Sequence, residues 1–136
     1  MAFSKQIFDH SIAAASDFNS ASFQFCLMKF SAGTDTVVPC TGATDIPSGV
    51  LQNLPRQGEQ AELRIIGISK IRVGATDLTG YSLLVTDATG RAAAGVAGTD
   101  TTKYVIGRIV SLAEGTDNDG ALATALVNCA NPSRLA

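Results

Sequence analysis

An all-β fold, a small barrel or sandwich of short strands with an extended N-terminal arm, is what this chain of 136 residues predicts. Three observations carry the prediction. Apolar runs rich in β-forming residues recur about every 8–12 residues, with turn signals between them. Two of these runs, Ile66–Gly74 and Ile106–Gly115, are bounded by glycine and flank the turn-rich stretch from Gly74 to Ala97. Finally, Gly49–Gly58, Gly67–Gly74 and Gly107–Gly115 share one outline, each running from a Gly through an apolar stretch to a second Gly.

The length fits one domain with a proper core. Hydrophobic residues make up 46% of the chain, but there is no Trp and aromatics contribute only 6%. Much of the core material is therefore Ala and Val, which bury little area each at roughly 25 cal/mol per Å². A monomer built this way gains from burying further surface against partners.

Residues 1–22 read as the arm, with Phe3, Ile7, Phe8, Ile12 and Phe18 set among Ser, Asp and Ala. The spacing of the first four also fits one face of a short helix. The Ser- and Asn-rich stretch after Ala15 is a poor helix former, which favours an extended arm with aromatic anchors. Residues 23–130 form the β-rich domain. Strands are expected at Phe23–Phe30, Thr36–Cys40, Gly49–Leu54 and Ala61–Val73, the last with Gly67 at a bulge or bend. Tyr81–Thr86 follows, closed by the turn Asp87-Ala-Thr-Gly90. Arg91–Ala94 and Tyr104–Leu112 are further strands, and Ala121–Cys129 is a last strand or a short helix. Residues 131–136 read as a loose tail.

Chemistry-bearing residues are sparse. His10 is the only histidine, and no nucleophile elbow, phosphate loop, HExxH or dinucleotide fingerprint is present. Asp117-Asn118-Asp119-Gly120 opens like a calcium loop, but Leu126 stands where the closing acid belongs, so it reads as an Asx turn. Cys26, Cys40 and Cys129 are widely spaced, without a CxxC, and are expected as free thiols. The 10 basic and 12 acidic side chains are balanced. Arg64, Lys70 and Arg72 read as solvent-facing strand positions and not as a phosphate-binding cluster. No run approaches the roughly 18 apolar residues that span a membrane. The reading is a non-enzyme with no cofactor, no metal, no nucleic-acid partner and no membrane partner.

The motifs from residue 49 onward resemble the family of small tailed-phage head proteins that act as capsid decoration or cement proteins, members of which are often labelled recombinase-like. The resemblance runs through Gly49-Val50, Gly58, IIGISKIRV (65–73), LTGYSLLVTDATGRA (78–92), VIGRIVSLAEG (105–115) and ATALV (123–127). It covers roughly residues 49–127; before that the arm is longer and richer in Phe. It implies a barrel-like domain forming homotrimers on the outer capsid surface, with the major capsid protein as partner. The molecule would be made in the host cytoplasm and located in the virion. Gly67, Gly74, Gly80, Asp87, Gly90, Gly107 and Gly115 occupy the pattern's turn positions as structural residues. Phe3, Ile7 and Phe8 are the candidate contacts to capsid or neighbouring subunits. Deleting residues 1–20 is then expected to abolish capsid binding and leave the fold intact. The alternative is a small β-barrel module for a glycan or small ligand, in which Tyr81 and Tyr104 would be the aromatic residues available beyond the first 30.

Overall fold

The computed structural model describes residues 4–74, 78, 82–111 and 120–136, and among them it contains strands and no helix. β1 (Lys5–Ala14), β2 (Leu27–Phe30), β3 (Thr36–Pro39) and β4 (Gly49–Leu51) precede the longest strand, β5 (Gln60–Arg72). β6 (Leu83–Thr86), β7 (Ala92–Gly95), β8 (Tyr104–Val105), β9 (Gly107–Ser111), β10 (Leu122–Asn128) and β11 (Ser133–Arg134) follow. The fold is all-β.

β5 is the spine because its alternation is the cleanest in the chain. Ala61, Leu63, Ile65, Ser69 and Ile71 are buried, while the intervening Glu62, Ile66, Ile68 and Lys70 are not. Two rings of pairings share it. In the first, β1 pairs with β3, β3 with β2, β2 with β4, β4 with β5, and β5 with β1. In the second, β5, β10, β9, β6 and β7 lie in order, and a parallel bridge between Val73 and Ala92 brings β7 back to the end of β5. One apolar core runs through both, with Leu27, Met28, Leu51 and Leu63 from the first ring and Leu84, Ile109, Ala123 and Ala125 from the second.

The turn at Asp87–Gly90 locks the rings together. Asp87 Oδ1 accepts hydrogen bonds from the Thr89 N–H at 2.8 Å, the Thr89 hydroxyl at 2.7 Å and the Arg91 N–H at 3.0 Å. That fixes the tip of the β6–β7 hairpin, and the Gly90 carbonyl accepts the Leu27 N–H of β2 at 2.6 Å.

The arm differs from its expectation. Its residues Lys5–Ala14 are a strand, antiparallel to β5 from Lys5↔Ile68 to Ala13↔Gln60, and parallel to β3 at Ala13 and Ala14. Deleting residues 1–20 removes a member of the first ring, so the fold is not separable from this segment. Local sequence hides the strand because its partner lies some fifty residues away.

Three other expectations are adjusted. Phe23–Phe30 is a strand only from Leu27; Phe25 has φ +68°, and Phe18 and Phe23 pack as a loop with ring centroids 5.2 Å apart. Ala121–Cys129 resolves as strand, in β10. The tail is not loose, because β11 pairs with β8 and Leu135 is buried against Val85 and Ala93 on the β6–β7 hairpin.

The basic residues also differ. Arg64 is only 8% exposed. Its Nε and Nη2 donate to Asp9 Oδ1 and Oδ2 at 3.0 and 3.2 Å, and its Nη1 donates to the Ile68 carbonyl at 3.0 Å. Arg72 donates to the Gly120 and Ala21 carbonyls, each at 2.8 Å. Lys70 lies over the Phe25 ring, 5.7 Å from its centroid. Burial makes the Asp9–Arg64 pair a fixed brace between β1 and β5. Asp9→Ala, which leaves the guanidinium unpaired, is expected to lower stability by about 3–5 kcal/mol. Asp9→Leu with Arg64→Met together should recover most of that loss. Urea unfolding of the single and double variants checks both values, and additive losses would contradict the coupling.

Candidate docking groove at the mouth of the first ring

Strand direction decides what meets at the ends of the first ring. β1, β3 and β4 run one way and β2 and β5 the other. The early part of β1, the end of β2, the approach to β4 and the centre of β5 therefore converge at one end. There they form a groove of about 450 Å³, lined by Phe8, His10, Phe30, Ile46, Ile65 and Pro132 among others. Ile65 belongs to the buried core, while Phe8, Phe30 and Ile46 remain 51%, 53% and 49% exposed. Large apolar side chains gathered at one open concavity mark a contact surface more than a scatter of single exposed residues does.

Each wall has a local cause. Phe8 sits between two register shifts in the β1–β5 pairing, one at Gln6/Phe8 and one at Phe8/Asp9. Ile46 precedes Pro47 in the loop before β4, and that loop is held by Asp45, whose Oδ2 accepts the Thr41 and Gly42 N–H groups, each at 2.9 Å. The Lys29 ammonium donates to the same oxygen at 2.8 Å and leads the effects that lower the Asp45 pKa. Ser48 N–H donates to the Met28 carbonyl at 2.7 Å, which sets the loop against β2.

Polar chemistry in the groove is thin. His10 is exposed at its rim. Cys129 forms part of the wall but is buried, and burial pushes its thiol up to about 12. Burial likewise raises Cys40 to about 12, and it raises Cys26 despite Arg91 and Arg72 nearby. Thiols held protonated in this way are poor nucleophiles. Among the described residues no group of three His, Cys, Asp or Glu side chains is arranged to hold a metal ion. The arrangement offers apolar contact and little proton chemistry.

The candidate residues from sequence are distributed as follows. Phe8 lines the groove; Ile7, 68% exposed, stands at the adjoining register shift; Phe3 lies outside the described residues. Gly67 is at that shift in β5, Gly74 lies against the Asp87 carboxylate, and Gly107 opens β9 against the Leu126 backbone. Asp87 and Gly90 make the docked turn described above. Gly80, Gly115, Tyr81 and residues 117–119 of the expected Asx turn are outside the described residues. Tyr104 is on β8, its hydroxyl accepting from Arg134 Nε at 3.2 Å, away from the groove. Phe30 and Ile46 were not singled out from sequence. The available signal was an isolated large apolar residue before Pro47 in an otherwise polar loop.

With this geometry in place, comparison with known proteins is informative about the fold. The chain is similar to a solved structure described as the head fiber gp8.5 N base in bacteriophage phi29, with a TM-score of 0.62. The similarity covers 90% of this chain and 94% of that one, at 19% sequence identity. The fold is shared. No family model and no curated protein matches the sequence, so the resemblance to decoration proteins rests on the motifs alone.

Proposed function

We propose that this protein is a non-enzymatic structural component of a tailed-phage head, docking on the outer surface of the capsid and stabilising it. The observation that supports this best is the near-complete, end-to-end fold similarity to a phage head fiber base. The groove formed by Phe8, Phe30 and Ile46 supplies a docking surface of suitable chemistry. The balanced charge and absence of clustered basic residues on the sequence fit a protein-binding role better than nucleic-acid binding. On this reading the partner is the major capsid protein. Association as a homotrimer would let weak individual contacts add through high effective concentration.

The test is retention on purified heads of the parent phage. Phe8→Asp and Phe30→Asp place a charge in the groove without touching the core. Each is expected to reduce co-sedimentation with heads by at least tenfold, which corresponds to about 1.4 kcal/mol, while thermal unfolding stays close to wild type. Detection of the wild-type protein in gradient-purified virions, located by immuno-electron microscopy, checks its place. A wild-type protein absent from virions and not retained on heads would sink the reading.

A further inference from the structure

The backbone of β1 carries a feature that the groove alone does not explain. The Ala14 N–H donates to the Glu59 carbonyl at 2.9 Å, so Ala14 faces β5. The register from Asp9↔Arg64 to Ala13↔Gln60 is regular, and in antiparallel pairs the bonding direction alternates residue by residue. His10 and Ile12 therefore turn their N–H and C=O groups toward β5. Asp9, Ser11 and Ala13 turn theirs to the opposite edge, and the Ala15 N–H, in the same phase, donates to Val37 of β3 at 3.1 Å. β3 covers that edge only from Ala13 onward. Below it the chain leaves β3 through the tight turn at Ser31–Thr36, where the Ser31 N–H donates to the Thr36 carbonyl at 2.8 Å. Among the described residues, no strand pairs with the outer edge of β1 at Asp9 and Ser11. This open edge lies beside the groove, since Phe8 and His10 of the same strand line it.

We propose that this notch is a strand-acceptor site. It takes one extended segment of the capsid protein, paired through its backbone to Asp9 and Ser11, with a large apolar side chain lodged among Phe8, Phe30 and Ile46. An open edge beside an apolar pocket is the combination by which extended segments are recognised, main-chain bonds giving affinity and the pocket specificity. The free edge is short. The register shifts at Phe8 limit its regular part to about four residues, roughly 14 Å of strand. A dimer of two copies joined through it would fall far below the roughly 1,200 Å² of a stable interface. The edge suits a short segment of a partner already held by other contacts. This inference rests on the docking reading for the partner's identity.

Ser11→Pro in the full chain tests it. Proline removes only the outward N–H at this position, and edge strands tolerate proline where the N–H faces solvent. His10→Pro, which removes a bond to β5, is the internal calibration and should unfold the protein. The Ser11→Pro variant should keep its circular dichroism and cooperative melting, while retention on heads falls about tenfold, as expected for losing one or two backbone bonds. Hydrogen exchange of the segment spanning Asp9 to Ser11 should slow when wild-type protein is bound to heads. Full retention of a folded Ser11→Pro variant would overturn strand pairing while leaving groove docking intact if Phe8→Asp still loses binding. Unchanged exchange in the bound state would overturn it even if the proline variant fails to fold. A changed sedimentation coefficient of Ser11→Pro in the absence of heads would assign the edge to a second copy and overturn the proposal. Failure of the wild type to bind heads would instead count against the docking reading.

Discussion

A chain lacking residues 1–14 is expected to lose cooperative folding altogether. β1 closes the first ring, joining β5 along Lys5–Ala13 and β3 at Ala13 and Ala14. Its removal frees the adjoining edge of β5, with Ala61 and Leu63 on the core side of that strand. It also strips Asp9 from Arg64, leaving a buried guanidinium without its carboxylate. An unpaired buried charge alone costs about 3–5 kcal/mol. Each lost backbone bond adds about 1 kcal/mol. A domain with a net stability of about 5–15 kcal/mol does not survive that sum. Far-ultraviolet circular dichroism, amide dispersion in a two-dimensional NMR spectrum and recovery in the soluble fraction are the readouts. A cooperative transition within a few degrees of wild type would contradict the role given to β1. The result also bears on interpretation, because loss of head binding by such a deletion reports unfolding and not a removed contact. Point substitutions at Phe8 and Ser11 are the informative ones.

How much of this was legible in the sequence depends on how local each cause is. β5 was legible because both its burial and its bulge leave marks on neighbouring residues: alternation from Ala61 to Ile71, and a glycine at position 67. The Asp87–Gly90 turn was legible for the same reason, since a carboxylate that caps the next N–H groups and a glycine at φ +81° are local requirements. β1 was not. Its apolar residues fall at 7, 8 and 12 because two register shifts interrupt the pairing at Phe8, and an interrupted strand loses its period of two. What makes it a strand is Asp9 meeting Arg64, 55 positions away. The two-residue strand β11 was missed for a similar reason: its order comes from β8 and the Leu135 contact, not from its own propensity.

The groove shows the same division. Phe8 was identified because an aromatic residue in a polar segment is conspicuous. Phe30 was hidden inside a run read as one strand, and Ile46 inside a loop. Only the closure of the ring brings the three together, and closure is set by pairings such as Val50↔Arg64 and Met28↔Pro39 that no window of sequence contains. The open edge of β1 is still less visible, since it follows from where β3 stops.

Gly67→Ala is expected to cost about 3–5 kcal/mol. Gly67 is the point where three strands meet, paired with Gln6 on one side and with Val127 on the other. Its φ of +139° lies where L residues are strained, by about 1–3 kcal/mol. A Cβ there would stand 2.6 Å from the Lys5 carbonyl oxygen and 2.9 Å from the Ile7 nitrogen. Both obstacles are backbone, so no side chain can rotate aside; β1 must shift or peel away, losing pairing at about 1 kcal/mol per bond. Gly33→Ala separates the two effects. Gly33 also has a positive φ, +77°, but nothing lies within 4 Å of its Cβ position, so only the backbone strain of about 1–2 kcal/mol applies. Urea midpoints for the two variants, at unchanged slope, measure the difference directly. Equal losses at the two positions would mean that contact with β1 contributes nothing at Gly67. A much larger loss at Gly67, with exchange at Lys5–Phe8 accelerated before the rest of the protein, would locate the damage at the strand that bears Phe8 and the open edge.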